Sequence, residues 1–190
     1  NLHYILENLK TKTDVRQAAF ETIALALTGV VDELEEVDVK KQAMGLDQIP
    51  EIFFREKSNY TVSRDIISDG TLHLAAILTA LYSNPFSFLL AIEEPERHLH
   101  LKAISYLMEI FRERSRETQI IITTQSSEVL RNVDLDSDHL IFIYRDYDSF
   151  TKAIASKDIK EIKSLLSEKY DYNIDDIIRN EVLGYLGDYE

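Results

Sequence analysis

The spacing of apolar and polar residues predicts helices and antiparallel strands in the first part of the chain. Apolar positions recur at helical spacing over residues 1–31 and again over 69–82. Between these helices, apolar and charged residues alternate from Leu34 to Lys41, which indicates a half-exposed strand. Two more strand patterns follow at 48–57 and 59–66, and a polar turn separates them.

The pattern changes in the second half, where near-continuous apolar runs indicate parallel strands buried on both faces. These runs are "FSFLLAI" (86–92), "QIIITT" (119–124) and "HLIFIYR" (139–145). Helical patterns at 102–116 and 126–132 lie between them. Because strand and helix alternate, we expect right-handed crossovers and an α/β fold with a mainly parallel sheet flanked by helices. Beyond it, the pattern predicts a turn at 146–149, a strand at 150–155, and helices near 158–168 and 173–186.

Length and composition favour a single domain. The chain has 190 residues, and with 3 prolines and 5 glycines it contains no linker-like segment and no internal repeat. We therefore expect one domain over 1–190 in three parts: a helical and antiparallel segment (1–66), a core (67–145) and a helical tail (146–190).

Charge and cysteine content exclude several classes of function. The absence of cysteine rules out disulfides and cysteine-bound zinc and favours a cytoplasmic setting. No apolar run is long enough to span a membrane. The net charge of −13, without a basic patch, argues against this chain being the main contact surface for a nucleic acid.

The stretch "FLLAIEEPERHLHLK" (88–102) places unusual charge at the tip of an apolar strand. Glu93 and Glu94 follow this strand, and Gln125 follows the next one, so all three are expected at the same edge of a parallel sheet. One carboxylate can hold Mg²⁺ through water while the other polarises an attacking water. Two alternatives remain open: a zinc site on His98 and His100, whose i, i+2 spacing does not share one helical face, and an ordinary strand-to-helix turn.

Three motifs in order resemble the C-terminal half of an ABC-type ATPase head. They are the Ser-Asp-Gly-Thr loop in Ile67–Thr71, the acidic strand end with Pro-Glu and Leu-His in Glu93–His100, and Thr-Thr-Gln-Ser in Thr123–Ser126. The similarity is to RecF-like and SMC-like ATPases, a group that includes the AAA-type ATPases of abortive-infection and toxin–antitoxin systems. It covers residues 60–145 well and implies a partial P-loop NTPase fold that uses ATP and Mg²⁺.

The resemblance implies that the loop before the 69–82 helix binds phosphate. In ABC-type heads, Ser68, Asp69 and Gly70 would contact the γ-phosphate of ATP bound to the opposing subunit of a dimer. A helix N-terminus, with its free N–H groups, favours an anion. The alternative is that Ser68 or Asp69 serves as an ordinary helix cap.

The resemblance also assigns roles at the two strand tips. Glu93 would be the acid that supports Mg²⁺, and Glu94 the catalytic residue that positions the attacking water. His100 falls at the D-loop position, which crosses the dimer interface. Gln125 stands where the family has its switch histidine; glutamine can hydrogen-bond a phosphate oxygen but carries no charge, so altered or weaker hydrolysis is expected.

A phosphate cradle of the form Gly-x-x-x-x-Gly-Lys-[Ser/Thr] does not occur in these 190 residues. We therefore expect a C-terminal fragment whose Walker A half lies upstream or on another chain, and which is inactive alone. Two functions remain open: an ATP-gated dimerisation switch in DNA repair, chromosome maintenance or phage defence, with a possible DNA, nuclease or toxin partner, and a non-catalytic regulatory or interaction module that retains the fold.

Overall fold

The computed structural model describes residues 2–11, 14–44, 47–83, 88–134, 136–145 and 150–155. Within them, the chain forms the following elements in order: α1 (Leu2–Thr11), α2 (Asp14–Val30), β1 (Leu34–Met44), β2 (Asp47–Glu56), β3 (Thr61–Ser63), α3 (Asp69–Tyr82), β4 (Leu89–Glu93), α4 (Leu101–Arg114), β5 (Gln119–Thr123), α5 (Ser127–Arg131), β6 (Ile141–Arg145) and β7 (Thr151–Ala155). The contacts group the chain into two compact units, Asn1–Gln125 and Ser126–Glu190. The single-domain organisation stays a prediction, and the two tail helices expected near 158–168 and 173–186 lie outside the described residues.

The first unit contains an antiparallel sheet with the strand order β1-β2-β3. Leu34, Val37 and Val39 of β1 are buried, and the last two pair with Phe54 and Ile52 of β2. The buried positions change from even to odd because the register shifts near the start of β1, as a β-bulge does. Helices α1 and α2 contact this sheet. The alternating sequence pattern is thereby confirmed as a strand with one buried face.

Helix α3 contributes much of the core of the first unit. Its buried apolar positions are Leu74, Ala75, Ile77, Leu78 and Leu81, a broad face that packs against α2. Residues at i, i+3, i+4 and i+7 share one side of a helix, so the sequence predicted this element and both its ends correctly. Helix α3 is therefore firmly anchored in the core of the first unit.

A salt bridge joins the beginning of α4 to the turn after α2. The Nζ of Lys102 lies 2.5 Å from Oδ1 of Asp32. The hydrogen bond from Lys102 holds the pKa of the Asp32 carboxyl below its usual range. Both side chains are exposed, so this pair contributes little to stability.

Strands β4 and β5 pair in parallel, as the alternation of strand and helix predicted. Leu89 is opposite Gln119, and Glu93 is opposite Thr123. The prediction that these strands are buried on both faces is wrong, because their residues alternate between exposed and half-buried. Leu89 is 50% exposed and Ile121 is 46% exposed. An apolar run shows which residues can be buried, but within the described residues this outer face meets solvent.

The second unit contains α5 and a two-stranded sheet of β6 and β7. The strand expected at 150–155 is confirmed as β7. The expectation that 139–145 adds a third buried parallel strand is wrong, since β6 pairs antiparallel with β7, and Ile141 and Ile143 are exposed. A short connection allows two neighbouring strands to pair antiparallel, whereas parallel pairing needs a long crossover.

Candidate active site

Helix α3 begins at a capped N-terminus. The Ser68 hydroxyl accepts a hydrogen bond from the backbone N–H of Thr71 at 3.1 Å, and Ser68 has extended backbone angles, as an N-cap residue does. The two hydroxyls, Ser68 Oγ and Thr71 Oγ1, are also 2.8 Å apart. Capping by Ser68, one of the two residues weighed as caps, is thus observed. It fixes the start of the loop whose phosphate-binding role stays a prediction.

Gly70 brings the start of α3 into close contact with the turn formed by residues 94–98. A Cβ added to Gly70 would lie 2.2 Å from the carbonyl oxygen of His98. A second contact lies one helical turn further, where the Nε2 of His73 is 3.2 Å from the carbonyl oxygen of Pro95. The 94–98 turn therefore packs directly on the beginning of α3, and only glycine leaves room for this packing.

The 94–98 turn is joined to the end of the parallel sheet through its backbone. The N–H of Glu94 donates to the carbonyl oxygen of Thr123 at 2.9 Å, so the ends of β4 and β5 lie side by side. Glu94 and His98 adopt left-handed backbone angles, with φ of 44° and 63°. Pro95 between them is buried. The chain thus leaves the sheet in a tight turn immediately after the acidic pair.

The side chains of the turn make a further bond to the 124–126 loop. The hydroxyl of Thr124 donates to Oε1 of Glu96. Gln125 comes next and is exposed. The sequence motifs include Glu96 and Thr124 but do not predict this bond, nor the half-buried position of the His73 side chain against the Pro95 carbonyl. The sequence features that could have indicated the bond are the acidic residue after Pro95 and the hydroxyl residue before Gln125.

The structure places the predicted site residues at one sheet edge, as expected for a parallel sheet. Glu93, exposed, is opposite Thr123; Glu94 is bonded to the same residue; and Gln125 follows two positions later. Gly70 meets this group through His98. The chemical roles of these residues stay predictions.

The two histidines of the 88–102 stretch are exposed, and His98 meets Gly70 through its backbone carbonyl. His100 is exposed at the N-cap of α4 and makes no side-chain capping bond there. His98 is exposed as well. Across the described ranges, no three His, Asp or Glu side chains are grouped so that they could hold a metal ion.

In the same ranges no helix is both long and apolar enough to span a bilayer.

Comparison with known proteins identifies relatives of this arrangement. Residues 7–131 match the family described as "AAA domain, putative AbiEii toxin, Type IV TA system". A curated relative, an uncharacterized ABC transporter ATP-binding protein of Schizosaccharomyces pombe, is 24% identical over 176 residues, which are 90% of this chain. They make up 20% of the relative, so the chain spans about a fifth of that protein's length.

Solved structures of SMC heads share the fold. One, from work on ATP-driven dimerization and DNA-stimulated activation of SMC ATPases, has a TM-score of 0.55 and 18% identity and covers 81% of this chain and 95% of its own. The Smc head of Pyrococcus furiosus, bound to the C-terminal domain of ScpA, has a TM-score of 0.56 and 18% identity. The match covers 85% of this chain and 42% of that Smc chain. The expected ABC ATPase-like α/β fold is thereby confirmed. Because the family match spans more than half of the chain, the chain belongs to this AAA domain family.

Proposed function

We propose that this chain is the C-terminal part of an ATP-hydrolysing head, in which Glu93 supports Mg²⁺ and Glu94 activates water. The observation that carries the proposal is the packing of Gly70 against His98. This contact joins the signature-like start of α3 to the turn that directly follows the acidic pair. A strand-to-helix turn without chemistry would not need two carboxylates at the sheet edge.

The residues present fit Mg²⁺ and a nucleotide. Mg²⁺ retains several waters and takes one or two protein carboxylates, so a single exposed carboxylate at the end of β4, that of Glu93, suits it. Bound ATP with Mg²⁺ would supply the phosphoanhydride bond and neutralise developing charge. Glu94 would orient the attacking water and take its proton. The amide of Gln125 would donate a hydrogen bond to a γ-phosphate oxygen, and because it is neutral, we expect slower turnover than with histidine.

The phosphate cradle would come from a Walker A half outside these 190 residues. The outer face of the β4–β5 sheet supports this, since Leu89 and Ile121 are exposed apolar side chains that a further layer would cover. We infer that the chain alone neither binds ATP tightly nor hydrolyses it. ATP turnover by the chain alone that disappears in Glu94→Gln would contradict this inference.

The complete head would work as a dimer switched by ATP. The Ser68–Gly70 loop of one head would contact the nucleotide of the other head, and His100 would lie near the interface between the two heads. Hydrolysis through Glu94 would then release the heads from each other. We propose that this cycle serves DNA repair, chromosome maintenance or phage defence, together with a DNA, nuclease or toxin partner. With a net charge of −13, any main DNA contact would lie on another part of the assembly.

Substitution of Glu94 by glutamine in the full-length protein tests the proposal. The variant keeps the shape of the side chain but loses the base, so turnover should fall by roughly 10²–10⁴-fold while ATP still binds. An ATP-dependent dimer should then persist, measured by light scattering after size-exclusion chromatography. Glu109→Gln, an exposed position on α4, is the matched control and should behave as wild type. Unchanged dimerisation and turnover in Glu94→Gln would sink the proposal.

A second candidate function is a non-catalytic regulatory or interaction module. Gln125 favours it, because the position expected to hold a switch histidine carries a neutral side chain. Gln125→His separates the two candidates. A catalytic head should hydrolyse ATP faster with histidine, whereas a module without turnover should show none in either form.

A further inference from the structure

Glu96 is held in a fixed position by the backbone around it. Its carbonyl oxygen accepts the N–H of Leu99 at 2.9 Å, and the preceding residue, Pro95, is buried. One residue earlier still, the N–H of Glu94 is bonded to β5. The 94–98 turn is thus fixed at both ends, and the direction of the Glu96 side chain follows from it.

The carboxylate of Glu96 is enclosed rather than solvated. Its Oε1 accepts the hydroxyl of Thr124, and its Oε2 is buried and has no hydrogen-bond partner among the described residues. A buried acceptor without a partner costs free energy. Stability alone therefore does not explain a carboxylate at this position, since an apolar side chain would avoid that cost.

Thr124 directly precedes Gln125 in a segment that is neither helix nor strand. Residues 124–126 connect β5 to α5, and connecting segments are in general more mobile than the elements they join, so a side-chain bond can restrict this loop. The bond from Thr124 reaches back to the same turn that packs on Gly70 and on His73. One turn therefore touches the start of α3 on one side and the 124–126 loop on the other.

We propose that Glu96 is a positioning residue that fixes, through Thr124, the loop that carries Gln125. This inference deepens the proposed function and rests on it for its consequence in catalysis. A displacement of α3 against the 94–98 turn would move Glu96, and Glu96 would in turn move the Gln125 side chain that is proposed to contact the γ-phosphate. A carboxylate oxygen accepts a stronger hydrogen bond than the oxygen of a neutral amide, so Glu96→Gln should weaken the contact with Thr124.

Amide hydrogen exchange in the full-length protein, without added ATP, tests the structural part of the proposal. Thr124→Val keeps the shape of the side chain and removes the hydroxyl, so exchange in peptides covering 119–126 should rise by roughly 10–100-fold, the range expected when a hydrogen bond to a carboxylate is lost. Thr124→Ser keeps the hydroxyl and should restore protection. Thr123→Val, one residue earlier with an exposed side chain, is the control and should leave exchange unchanged.

A double-mutant cycle identifies the partner. If Thr124 acts through Glu96, then Glu96→Ala combined with Thr124→Val should loosen the loop no more than either change alone. Equal exchange in Thr124→Val and wild type, or additive effects in the double variant, would overturn the proposal.

Kinetics in the full-length protein test the consequence for catalysis. Thr124→Val and Glu96→Gln should each lower kcat by about tenfold and leave the KM for ATP unchanged, because only the alignment of Gln125 changes. Thr124→Ser should recover the wild-type kcat. A looser loop with unchanged kcat would overturn the link to catalysis. A wild-type protein without any turnover would refute the proposed function instead, while the exchange result would still decide the role of Glu96.

Discussion

Replacement of Gly70 by alanine tests the contact that joins α3 to the 94–98 turn. The new Cβ would lie 2.2 Å from a backbone oxygen, that of His98, and 3.2 Å from its carbonyl carbon. Backbone cannot rotate away as a side chain can, so the turn must move by about 1 Å to restore ordinary contact. Overpacking of this kind costs ~1–3 kcal/mol.

The gain in helix propensity offsets part of that cost. Alanine is favoured over glycine within a helix by up to ~1 kcal/mol. We therefore expect Gly70→Ala to lower the free energy of unfolding by about 1–2 kcal/mol, and the melting temperature by about 2–8 °C for a chain of this size. Urea unfolding followed by circular dichroism measures the first quantity and a thermal scan the second.

Gly29→Ala is the matched control. Gly29 lies near the end of α2 and has no atom within 4 Å of an added Cβ, so the propensity gain should act alone and leave the chain equally stable or more stable by up to ~1 kcal/mol. If Gly70→Ala proved as stable as Gly29→Ala, the close packing inferred here would be refuted. In the full-length protein the same 1 Å displacement next to Glu94 should lower turnover by on the order of 10²-fold.

Three further predictions concern the scaffold. Ser68→Ala removes the cap of α3 and should cost ~1 kcal/mol in urea unfolding, while Ser68→Asp should cost less because aspartate also caps. Burial alone would raise the pKa of Asp38, but hydrogen bonds from Lys10 and from the N–H of Val39 hold the pKa below its usual range. The ionised Asp38 carboxylate therefore stabilises the fold above its unfolded pKa of about 3.9, and this stabilisation is lost as the pH falls through the folded pKa. Asp38→Asn should make the free energy of unfolding depend less on pH between about pH 5 and pH 2. Phe54→Ala, at a fully buried site in β2, should cost ~3–5 kcal/mol of unfolding free energy, and a smaller loss would contradict its place in the core.

Local patterns were sufficient to predict much of the fold. The helical spacing in 69–82 gave α3 with both its ends, and alternation from Leu34 gave a strand with one buried face. These features depend on neighbouring residues, whose periodicity the sequence displays directly. The order of the acidic strand end and the Thr-Thr-Gln loop likewise predicted that both lie at one edge of the sheet, since parallel strands share their direction.

Features that depend on distant parts of the chain were not predictable in this way. The apolar run "FSFLLAI" is typical of a strand that is buried on both faces. Burial depends on what packs against each face, however, and Leu89 and Ile121 are exposed on the outer face of the sheet. The antiparallel pairing of β6 depends on its connection to β7. The contact between Gly70 and His98 joins residues far apart in sequence, so a lone glycine in a capped loop gives no sign of it.

At position 94, stability and catalysis favour different residues, because the backbone of Glu94 is left-handed. With φ at 44°, this residue occupies a region in which glycine and asparagine are more comfortable than glutamate, by roughly 1 kcal/mol. A library randomised at position 94 and sorted only for thermal resistance should therefore be enriched in glycine and asparagine. The same substitutions made in the full-length protein and sorted for ATP turnover should return the acid, and the difference between the two outcomes would measure the stability lost by keeping a carboxylate at position 94.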